Sequence, residues 1–323
     1  MKVAINGLGR IGRLVLRAYV ENPRKDFQIV AINGPAEAAQ HAHLFKYDSL
    51  HGTFNGDVKA EENALIINSH RFPLTREKDP TKIQWDADVV LECSGKFTKK
   101  ADAALHLKGN TKKVLISAPS PDADSTIVYG VNNDALKKDH TVISVGSCTT
   151  NCLAPVAKVL NDTFGIESGF MTTIHAYTSD QNIHDGSHKD MRRARAAGLS
   201  MVPSTTGAAK ALGLVIPELA GKLNGTAVRV PTPNVSMVDL VFNAKKPITK
   251  EAINAAMKKA ANNVLGYSEE ELVSIDYNHS PYSSIFDATQ TFVVGDKLGR
   301  VAAWYDNEWG FSLRMLDVAG LCK

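Results

Sequence analysis

Hydrophobic and polar residues are arranged in two different patterns along the chain. In the first half, strand-like runs such as KVAIN (2–6) and FQIVAIN (27–33) alternate with segments whose hydrophobic residues have helical spacing. The first of these segments is RIGRLVLRAYVEN (10–22). Further strands are predicted at 87–95, 112–119 and 140–147, with a helix over 100–109. Strands that alternate with helices indicate a parallel sheet covered on both faces. We therefore predict an α/β domain over residues 1–147.

The second half is richer in strands. The runs 170–178, 227–233, 237–244 and 288–306 have few helices between them, and the turn GDKLG (295–299) can pair two strands. Residues 249–263 form an amphipathic helix with Thr249 as its N-cap. This pattern predicts an α+β domain over 148–308 with a largely antiparallel sheet. The final helical run, 309–323, is expected to pack back on the first domain.

Composition narrows the class of protein. The chain has 323 residues, 44% hydrophobic and 22% charged, with a net charge of +3 and no basic stripe of the kind that binds nucleic acid. Its four cysteines, Cys93, Cys148, Cys152 and Cys322, are too few and too unevenly spaced for a disulfide framework. No leader peptide, membrane span or metal site is predicted, and we expect a cytoplasmic protein.

A glycine loop follows the first strand. AINGLGRIGR places Gly7, Gly9 and Gly12 in the G-x-G-x-x-G spacing at the start of a helix. Such a loop allows close backbone approach to a pyrophosphate at a helix N-terminus. The spacing predicts a Rossmann-type dinucleotide site, with Arg10 and Ile11 lying against the cofactor. A purely structural glycine turn is the alternative.

A cysteine lies at the junction of the two halves. SCTTNC places Cys148 between a strand and a helix, where a helix N-terminus lowers a thiol pKa. A thiol nucleophile needs a base, and His175 in TTIHAYTSDQ is the leading candidate. We predict that Cys152, one turn into the apolar helix, serves packing only.

Arginines and hydroxyl residues form a possible anion site. The segment 189–210 combines Arg193 with Thr206 and Gly207, which suit a phosphate. Arg229 is a single cation in an apolar strand and therefore needs an anion from the protein or from a ligand.

These residues carry a resemblance to a known family. AINGLGRIGR, HLFKYDSLHG, SCTTNC, TTIHAYTSDQ, DMRRARAAG, STTGAAKA, RVPTPNVSMVDL and WYDNEWGFS resemble phosphorylating glyceraldehyde-3-phosphate dehydrogenases, in the same order from end to end. The pairing of SCTTNC with TTIHAYT is shared with close relatives such as erythrose-4-phosphate dehydrogenase.

The resemblance implies a role for individual residues. Cys148 would be the nucleophile of a thioester mechanism and His175 its base, converting glyceraldehyde 3-phosphate to 1,3-bisphosphoglycerate. The other implied positions are Ser147, Thr149, Thr206 and Gly207 for inorganic phosphate; Thr178, Asp180, Arg193 and Arg229 for the substrate phosphate; and Asn307 and Ser117 for the nicotinamide cofactor. The resemblance also implies a homotetramer, assembled through the second domain.

Two departures from the family concern the cofactor. NAD-preferring members have an aspartate after the second strand, where this chain has Gly34, and the nearest acid in sequence is Glu37. Loss of that carboxylate removes repulsion against a 2′-phosphate. Ser187, in a loop that reads Leu-Pro in NAD-specific relatives, and Lys78 or Arg76 are candidate contacts for this group. We therefore favour NADP or dual use, with NAD held through backbone and water as the alternative.

A third departure lies before the nucleophile. Val145 replaces a family asparagine, which removes one polar contact near the nicotinamide. Two other functions stay open: a phosphate-independent erythrose-4-phosphate dehydrogenase, and a non-catalytic nucleic-acid-binding module on the same scaffold. The physiological direction is also open, since NAD suits glycolysis and NADP suits gluconeogenesis.

Overall fold

The chain forms two compact units. A computed structural model describes all residues, 1–323, and separates Met1–Ser147 with Phe311–Lys323 from Cys148–Gly310. None of its helices combines the length and the apolar character needed to cross a membrane.

The first unit is built on a nine-stranded sheet. Its elements are β1 (Lys2–Asn6), α1 (Arg10–Glu21), β2 (Gln28–Asn33), α2 (Ala38–Lys46), β3 (Val58–Glu61), β4 (Ala64–Ile67), β5 (His70–Thr75), β6 (Val89–Glu92), α3 (Lys100–Ala103), β7 (Lys113–Ile116), β8 (Ser125–Thr126) and β9 (Val142–Ser144). The strand order is β3-β4-β5-β2-β1-β6-β7-β9-β8.

Six strands of this sheet form the dinucleotide-binding core. From β5 to β9 every neighbouring pair is parallel, in the order that doubly wound dinucleotide-binding sheets use. Strands β1 and β6 are buried along almost their whole length, as expected for a sheet covered on both faces. The predicted Rossmann-type fold is confirmed. Sheets of this kind bind ligands in the crevice where the strand order reverses, which here lies beyond the carboxyl ends of β1 and β6.

Parts of the first unit differ from the predicted elements. The helix expected over 100–109 is one α-helical turn followed by a 3-10 turn at Ala104–His106. Leu107 leaves helical geometry, and Gly109 adopts a positive φ of 58°, which ends the segment. Strands β3 and β5 escaped prediction because they are mostly polar or exposed, and β4, although apolar, because it has only four residues.

The second unit has a seven-stranded sheet with helices. Its elements are α4 (Cys148–Phe164), β10 (Ile166–Ala176), β11 (Val202–Thr205), α5 (Ala208–Val215), β12 (Leu223–Val230), β13 (Ser236–Ala244), α6 (Lys250–Ala260), β14 (Leu265–Ser268), β15 (Ser284–Val294), β16 (Leu298–Tyr305) and the start of α7 (Trp309–Leu321), whose residues from Phe311 belong to the first unit.

The order of this sheet is β11-β12-β10-β13-β16-β15-β14. Only the β10–β12 and β14–β15 pairs are parallel, so the predicted, largely antiparallel sheet is confirmed. The turn at Gly295 joins β15 to β16, and the Thr249 hydroxyl caps α6 by accepting from the Ala252 N–H at 3.1 Å, both as predicted. Helix α4 packs against α5, α6 and the sheet, and its first half is buried.

Candidate active site

A cavity of about 340 Å³ opens at the carboxyl edge of the first sheet. Its walls come from the segments that follow β1, β2, β5 and β6. The lining residues are Asn6, Gly7, Leu8, Gly9, Arg13, Asn33, Pro35, Ala36, Gln40, His41, Leu44, Glu77, Lys78, Cys93, Ser94, Lys96 and Phe97. Of the predicted cofactor residues, Gly7, Gly9 and Lys78 line this cavity.

Two glycines of the loop, Gly7 and Gly12, are required by steric contacts. Gly7 has a φ of 95°, and a Cβ there would lie 2.5 Å from the Ser94 nitrogen. A Cβ on Gly12 would lie 1.8 Å from the Gly7 carbonyl oxygen, so the helix packs directly on the loop. Gly9 faces open space, and the first turn of α1 carries no acidic residue. The loop therefore leaves a helix N-terminus accessible to an anion.

Two predicted cofactor residues of this loop point their side chains elsewhere. Arg10 forms a two-pronged ion pair with Asp48, with distances of 2.7 and 3.1 Å. Burial opposes ionisation of Asp48, but the Arg10 guanidinium and two backbone N–H groups outweigh it and lower its pKa to about 2. Ile11 is half-buried outside the cavity, so only the backbone of these two residues remains available to a pyrophosphate.

A buried polar network supports the cavity and was missed by the sequence analysis. The Glu92 carboxylate, 1% exposed, accepts from Asn6 Nδ2 at 2.5 Å and from both the backbone N–H and the hydroxyl of Ser94. His106 Nε2 lies 2.9 Å from the same carboxylate, and Trp85 donates to His106 Nδ1 at 3.0 Å. Because Nδ1 accepts, His106 carries its proton on Nε2 and donates it to Glu92.

The region of Gly34 departs from what the sequence suggested. Arg76 pairs with Glu37 and lies outside the cavity lining, so its charge is neutralised. The acid that lines the cavity is Glu77, which follows β5 and is distant from Gly34 in sequence. Its Oε1 accepts from the backbone N–H groups of Lys78 and Asp79. Adjacent parallel strands bring Glu77 there, a contact that sequence spacing does not show.

Ser117 follows β7 at the same edge of the sheet. Its backbone N–H donates to the Glu92 carbonyl at 3.0 Å, and it is not part of the cavity lining. Ser147 is the last residue of the first unit and directly precedes Cys148. Val145, where the family has asparagine, is fully buried.

In the second unit, Cys148 and His175 come together. Cys148 is the first residue of α4, and His175 lies near the end of β10. The Cys148 Sγ is 3.6 Å from His175 Nε2. The two residues predicted as nucleophile and base are therefore within contact distance.

His175 Nδ1 has two competing contacts. The Ala176 carbonyl lies 2.7 Å away and accepts when Nδ1 is protonated, whereas Arg229 Nη1 at 2.8 Å donates when Nδ1 is not. The first tautomer leaves a lone pair on Nε2 facing the sulfur, and the second places a proton there. Residues His175 and Arg229 meet because they are direct partners across the parallel strands β10 and β12.

Burial keeps this pair in its neutral form. It raises the pKa of the Cys148 thiol, against the charge of Arg229 and hydrogen bonds from Thr149, which lower it. Burial, reinforced by the charge of Arg229, lowers the pKa of His175 to about 3. At neutral pH, His175 is therefore an uncharged imidazole that is able to accept a proton.

Tyr305 packs against His175 and was missed by the sequence analysis. Its hydroxyl lies 2.9 Å from the hydroxyls of both Thr149 and Thr173. Its ring meets His175 edge to face, with centroids 5.9 Å apart. The predicted phosphate residue Thr149 thus directs its hydroxyl to Tyr305.

Asn307 is buried and oriented through a single hydroxyl. Ser236 Oγ donates to Asn307 Oδ1 at 2.8 Å and accepts from the Ala176 N–H at 3.0 Å. The preceding residue, Asp306, accepts from the Trp309 N–H at 2.8 Å and so caps α7. The amide nitrogen of Asn307 is consequently the end left to a ligand.

The predicted substrate-phosphate residues form a second cluster. Arg193 pairs with Asp180, and Asp180 in turn lies 3.5 Å from His188 Nε2. The Thr178 hydroxyl accepts from the Asp180 N–H at 3.4 Å. Arg229 has no carboxylate within ion-pair distance, and its Nε is buried without a hydrogen bond. The protein therefore supplies no counter-anion for Arg229.

Four further residues that the sequence singled out also lie in the second unit. Thr206 Oγ1 accepts from the Ala208 N–H at 3.2 Å, and Gly207 is the N-cap of α5. Ser187 lies exposed in the loop between β10 and β11. Cys152 is fully buried, with Sγ 3.4 Å from the Ser284 hydroxyl, and burial raises its pKa to about 12.

A parallel dinucleotide-binding sheet in one unit and a contact between a cysteine and a histidine in the other are features of an NAD(P)-dependent oxidoreductase. Comparison with known proteins specifies which one. A model described as glyceraldehyde 3-phosphate dehydrogenase, NAD binding domain, matches residues 1–100, and one for the C-terminal domain matches 147–307. The chain belongs to the glyceraldehyde-3-phosphate dehydrogenase family, as the sequence motifs predicted.

Individual relatives are similar over their whole length. The chain is 54% identical to glyceraldehyde-3-phosphate dehydrogenase from Xanthobacter flavus, with 99% of this chain and 97% of the relative covered. Its identity to the Geobacillus stearothermophilus protein of that name is 54%, and to glyceraldehyde-3-phosphate dehydrogenase 1 of Bacillus subtilis (strain 168) it is 53%, each with the same coverage.

Proposed function

We propose that this protein reversibly oxidises and phosphorylates glyceraldehyde 3-phosphate to 1,3-bisphosphoglycerate, with NAD(P) as hydride acceptor. The observation that carries the proposal is the 3.6 Å approach of Cys148 Sγ to His175 Nε2, in a chain about half identical over its length to enzymes named for this substrate. No observation favours the erythrose-4-phosphate or nucleic-acid alternatives.

The first step is attack of Cys148 on the substrate aldehyde. His175 Nε2 accepts the thiol proton in the tautomer whose Nδ1–H donates to Ala176. The sulfur then bonds to the aldehyde carbon, and the carbonyl oxygen takes up the proton from Nε2 to give a hemithioacetal. Arg229 supports this step because its charge stabilises the thiolate.

The second step removes the hemithioacetal hydroxyl proton. His175, neutral at working pH because burial lowers its pKa to about 3, accepts this proton on Nε2. Bound NAD(P) supplies a hydride acceptor, its C4, for the hydrogen that leaves the same carbon. Loss of the proton and the hydride leaves a thioester on Cys148.

The protein side of the cofactor site fits a dinucleotide. The glycine loop and the open N-terminus of α1 would hold the pyrophosphate. Asn307, oriented by Ser236, would present its amide nitrogen to the nicotinamide carboxamide. NADP or dual use is supported by Gly34, which lacks a carboxylate, and by Lys78 in the cavity wall; Ser187 would add a contact from a neighbouring subunit.

Two anion sites complete the reaction. Arg229, without a protein counter-anion, and Arg193, held by Asp180, would bind the substrate phosphate together with Thr178. Asp180 would position Arg193 rather than touch the phosphate, because like charges repel. Inorganic phosphate, bound by Ser147, Thr149, Thr206 and Gly207, would attack the thioester carbon. The C–S bond then breaks, and the acyl phosphate leaves with Cys148 as thiolate.

We also propose that the protein is a cytoplasmic homotetramer assembled through its second unit. All four cysteines are free, as a reducing compartment requires. Phe170, Val241 and Phe292 are exposed on the sheet, and Phe170 and Val241 are direct cross-strand partners. The loop 183–201 exposes four further apolar side chains, Ile183, Met191, Leu199 and Met201. Patches of this kind mark protein–protein interfaces.

The experiment follows NAD(P)H formation with glyceraldehyde 3-phosphate, with and without inorganic phosphate. We expect sustained turnover only with phosphate, and loss of activity by roughly 1,000-fold or more in Cys148→Ser, as for removal of a catalytic nucleophile. Cys152→Ser is the matched control and should stay active. Phosphate-independent turnover on erythrose 4-phosphate, or an active Cys148→Ser protein, would contradict the proposal.

A further inference from the structure

His41 on α2 is a buried side chain that faces the dinucleotide cavity. It is 5% exposed, it lines the cavity, and neither ring nitrogen has a hydrogen-bond partner within the protein. A buried polar group left unpaired costs about 1–3 kcal/mol. The orphaned nitrogens therefore point to a polar ligand group supplied from the cavity.

The ring also explains why residue 34 is glycine. A Cβ on Gly34 would lie 2.6 Å from His41 Nε2 and 2.9 Å from Cε1. The Gly34 backbone is itself fixed, because its N–H donates to the Thr75 carbonyl at 3.0 Å. The imidazole thus occupies the space that a side chain at position 34 would need.

The charges around the cavity favour an anion. Arg13, Lys78 and Lys96 line it together with a single acid, Glu77. The Glu77 carboxylate is engaged by two backbone N–H groups and lies on the β5 side of the cavity. Burial lowers the pKa of His41, against a smaller contribution from the Gly34 backbone that raises it and with help from the charge of Arg13, so the free ring is neutral near pH 7 and offers one N–H donor.

We propose that His41 determines cofactor specificity by donating a hydrogen bond to the 2′-phosphate of NADP, and that Gly34 is required to make room for its ring. The proposal deepens the dinucleotide function and rests on it. His41 occupies the position from which an acidic residue 34 would hold the ribose hydroxyls of NAD. An N–H donor there favours the anionic 2′-phosphate of NADP, which a carboxylate would repel.

Calorimetric binding of adenosine 2′,5′-bisphosphate and of 5′-AMP to the full-length protein tests this without turnover. The two probes differ only in the 2′-phosphate. We expect His41→Leu to weaken the bisphosphate roughly 10- to 100-fold, as for a lost charge-assisted hydrogen bond, and to change 5′-AMP less than about twofold. His43→Leu, on the exposed face of the same helix, should change neither.

The outcomes separate this inference from the function on which it rests. An equal loss for both probes in His41→Leu, or no loss for either, would overturn the specificity role while leaving dinucleotide binding intact. Absence of 5′-AMP and NAD(P) binding by the wild type would instead overturn the proposed function.

The steric part has its own test. We expect Gly34→Asp alone to lower the melting temperature, because its Cβ overlaps the imidazole, and the double change Gly34→Asp with His41→Ala to restore it. The double variant should shift the ratio of NAD to NADP affinity toward NAD by about tenfold or more. If Gly34→Asp alone kept the wild-type melting temperature and shifted the ratio of NAD to NADP affinity as far as the double variant does, positions 34 and 41 would not be coupled.

Discussion

Arg229 Nη1 lies 2.8 Å from His175 Nδ1, on the side of the imidazole opposite Cys148. One permanent cation therefore acts on both His175 and Cys148: it lowers the pKa of the imidazole and stabilises the thiolate. The same cation has no carboxylate partner, which leaves it free to bind an anionic substrate.

His175 should make folding stability depend on pH. Its pKa is about 3 in the folded protein, against about 6.5 for an ordinary histidine, so between pH 6.5 and pH 3 the unfolded state binds a proton that the folded state does not. The stabilisation that comes from a neutral His175 is fully present above pH 6.5 and is lost as the pH falls toward 3. The free energies of unfolding in urea of the wild type and of His175→Asn should therefore diverge by about 1.4 kcal/mol for each pH unit below 6.5. The exposed His184→Asn variant should keep the wild-type slope; a His175→Asn variant with that slope would contradict the prediction.

Arg229 should discriminate phosphorylated from unphosphorylated aldehydes. In Arg229→Leu, kcat/KM for glyceraldehyde 3-phosphate should fall by at least about tenfold more than kcat/KM for glyceraldehyde, because only the former loses a charge-assisted contact. Arg192→Leu removes an exposed cation from the same region and should leave the ratio unchanged. An unchanged ratio in Arg229→Leu would place the substrate phosphate elsewhere.

Alkylation should be selective for Cys148. It is the only half-buried cysteine, whereas Cys93, Cys152 and Cys322 are buried. Burial raises the pKa of Cys152 to about 12 and of Cys322 to about 11. Substoichiometric iodoacetamide, followed by peptide mass spectrometry, should modify Cys148 first and abolish turnover in proportion. Equal labelling of Cys152 would be inconsistent with the buried environment of that thiol.

Tyr305→Phe should lower both stability and turnover. It leaves two buried threonine hydroxyls, Thr149 and Thr173, without their shared partner, at a cost of about 1–3 kcal/mol. The edge of the ring remains against His175, so kcat should fall moderately rather than vanish. Urea unfolding and steady-state kinetics measure the two effects, and the exposed Tyr47→Phe is the control. Wild-type stability in Tyr305→Phe would mean that the hydroxyl contributes nothing.

Glu92→Gln should disrupt the first unit. The carboxylate accepts hydrogen bonds from Asn6, Ser94 and His106. In glutamine an NH₂ group replaces one of the two acceptor oxygens, so at least one of these donors would lose its acceptor. Loss of one partner from a buried charged network costs about 3–5 kcal/mol. NAD(P) affinity should fall with stability because Asn6 and Ser94 line the cavity. Glu62→Gln, at an exposed acid, should change neither urea unfolding nor binding.

Much of this protein follows from local patterns in the chain. The hydrophobic pattern and the turn residues were enough to predict the strands β1, β2, β6, β7, β10, β13 and β16, because each strand is bounded by glycine, proline or polar residues. The capping of α6 by Thr249 involves residues only three positions apart, and the glycine motif of the first loop spans only six residues. Both can therefore be recognised in the sequence. The motifs around Cys148 and His175 were sufficient to predict the family.

Contacts between distant segments needed the folded structure. The register of β10 against β12 pairs His175 with Arg229, and Ser236 is paired with Tyr305 across β13 and β16. No spacing in the sequence encodes such a register, since it arises from how whole strands pack. The same holds for the side chain of α2 that fills the space beside Gly34. The missing carboxylate was visible in the sequence, but the imidazole that takes its place became visible only when helix and strand were brought together.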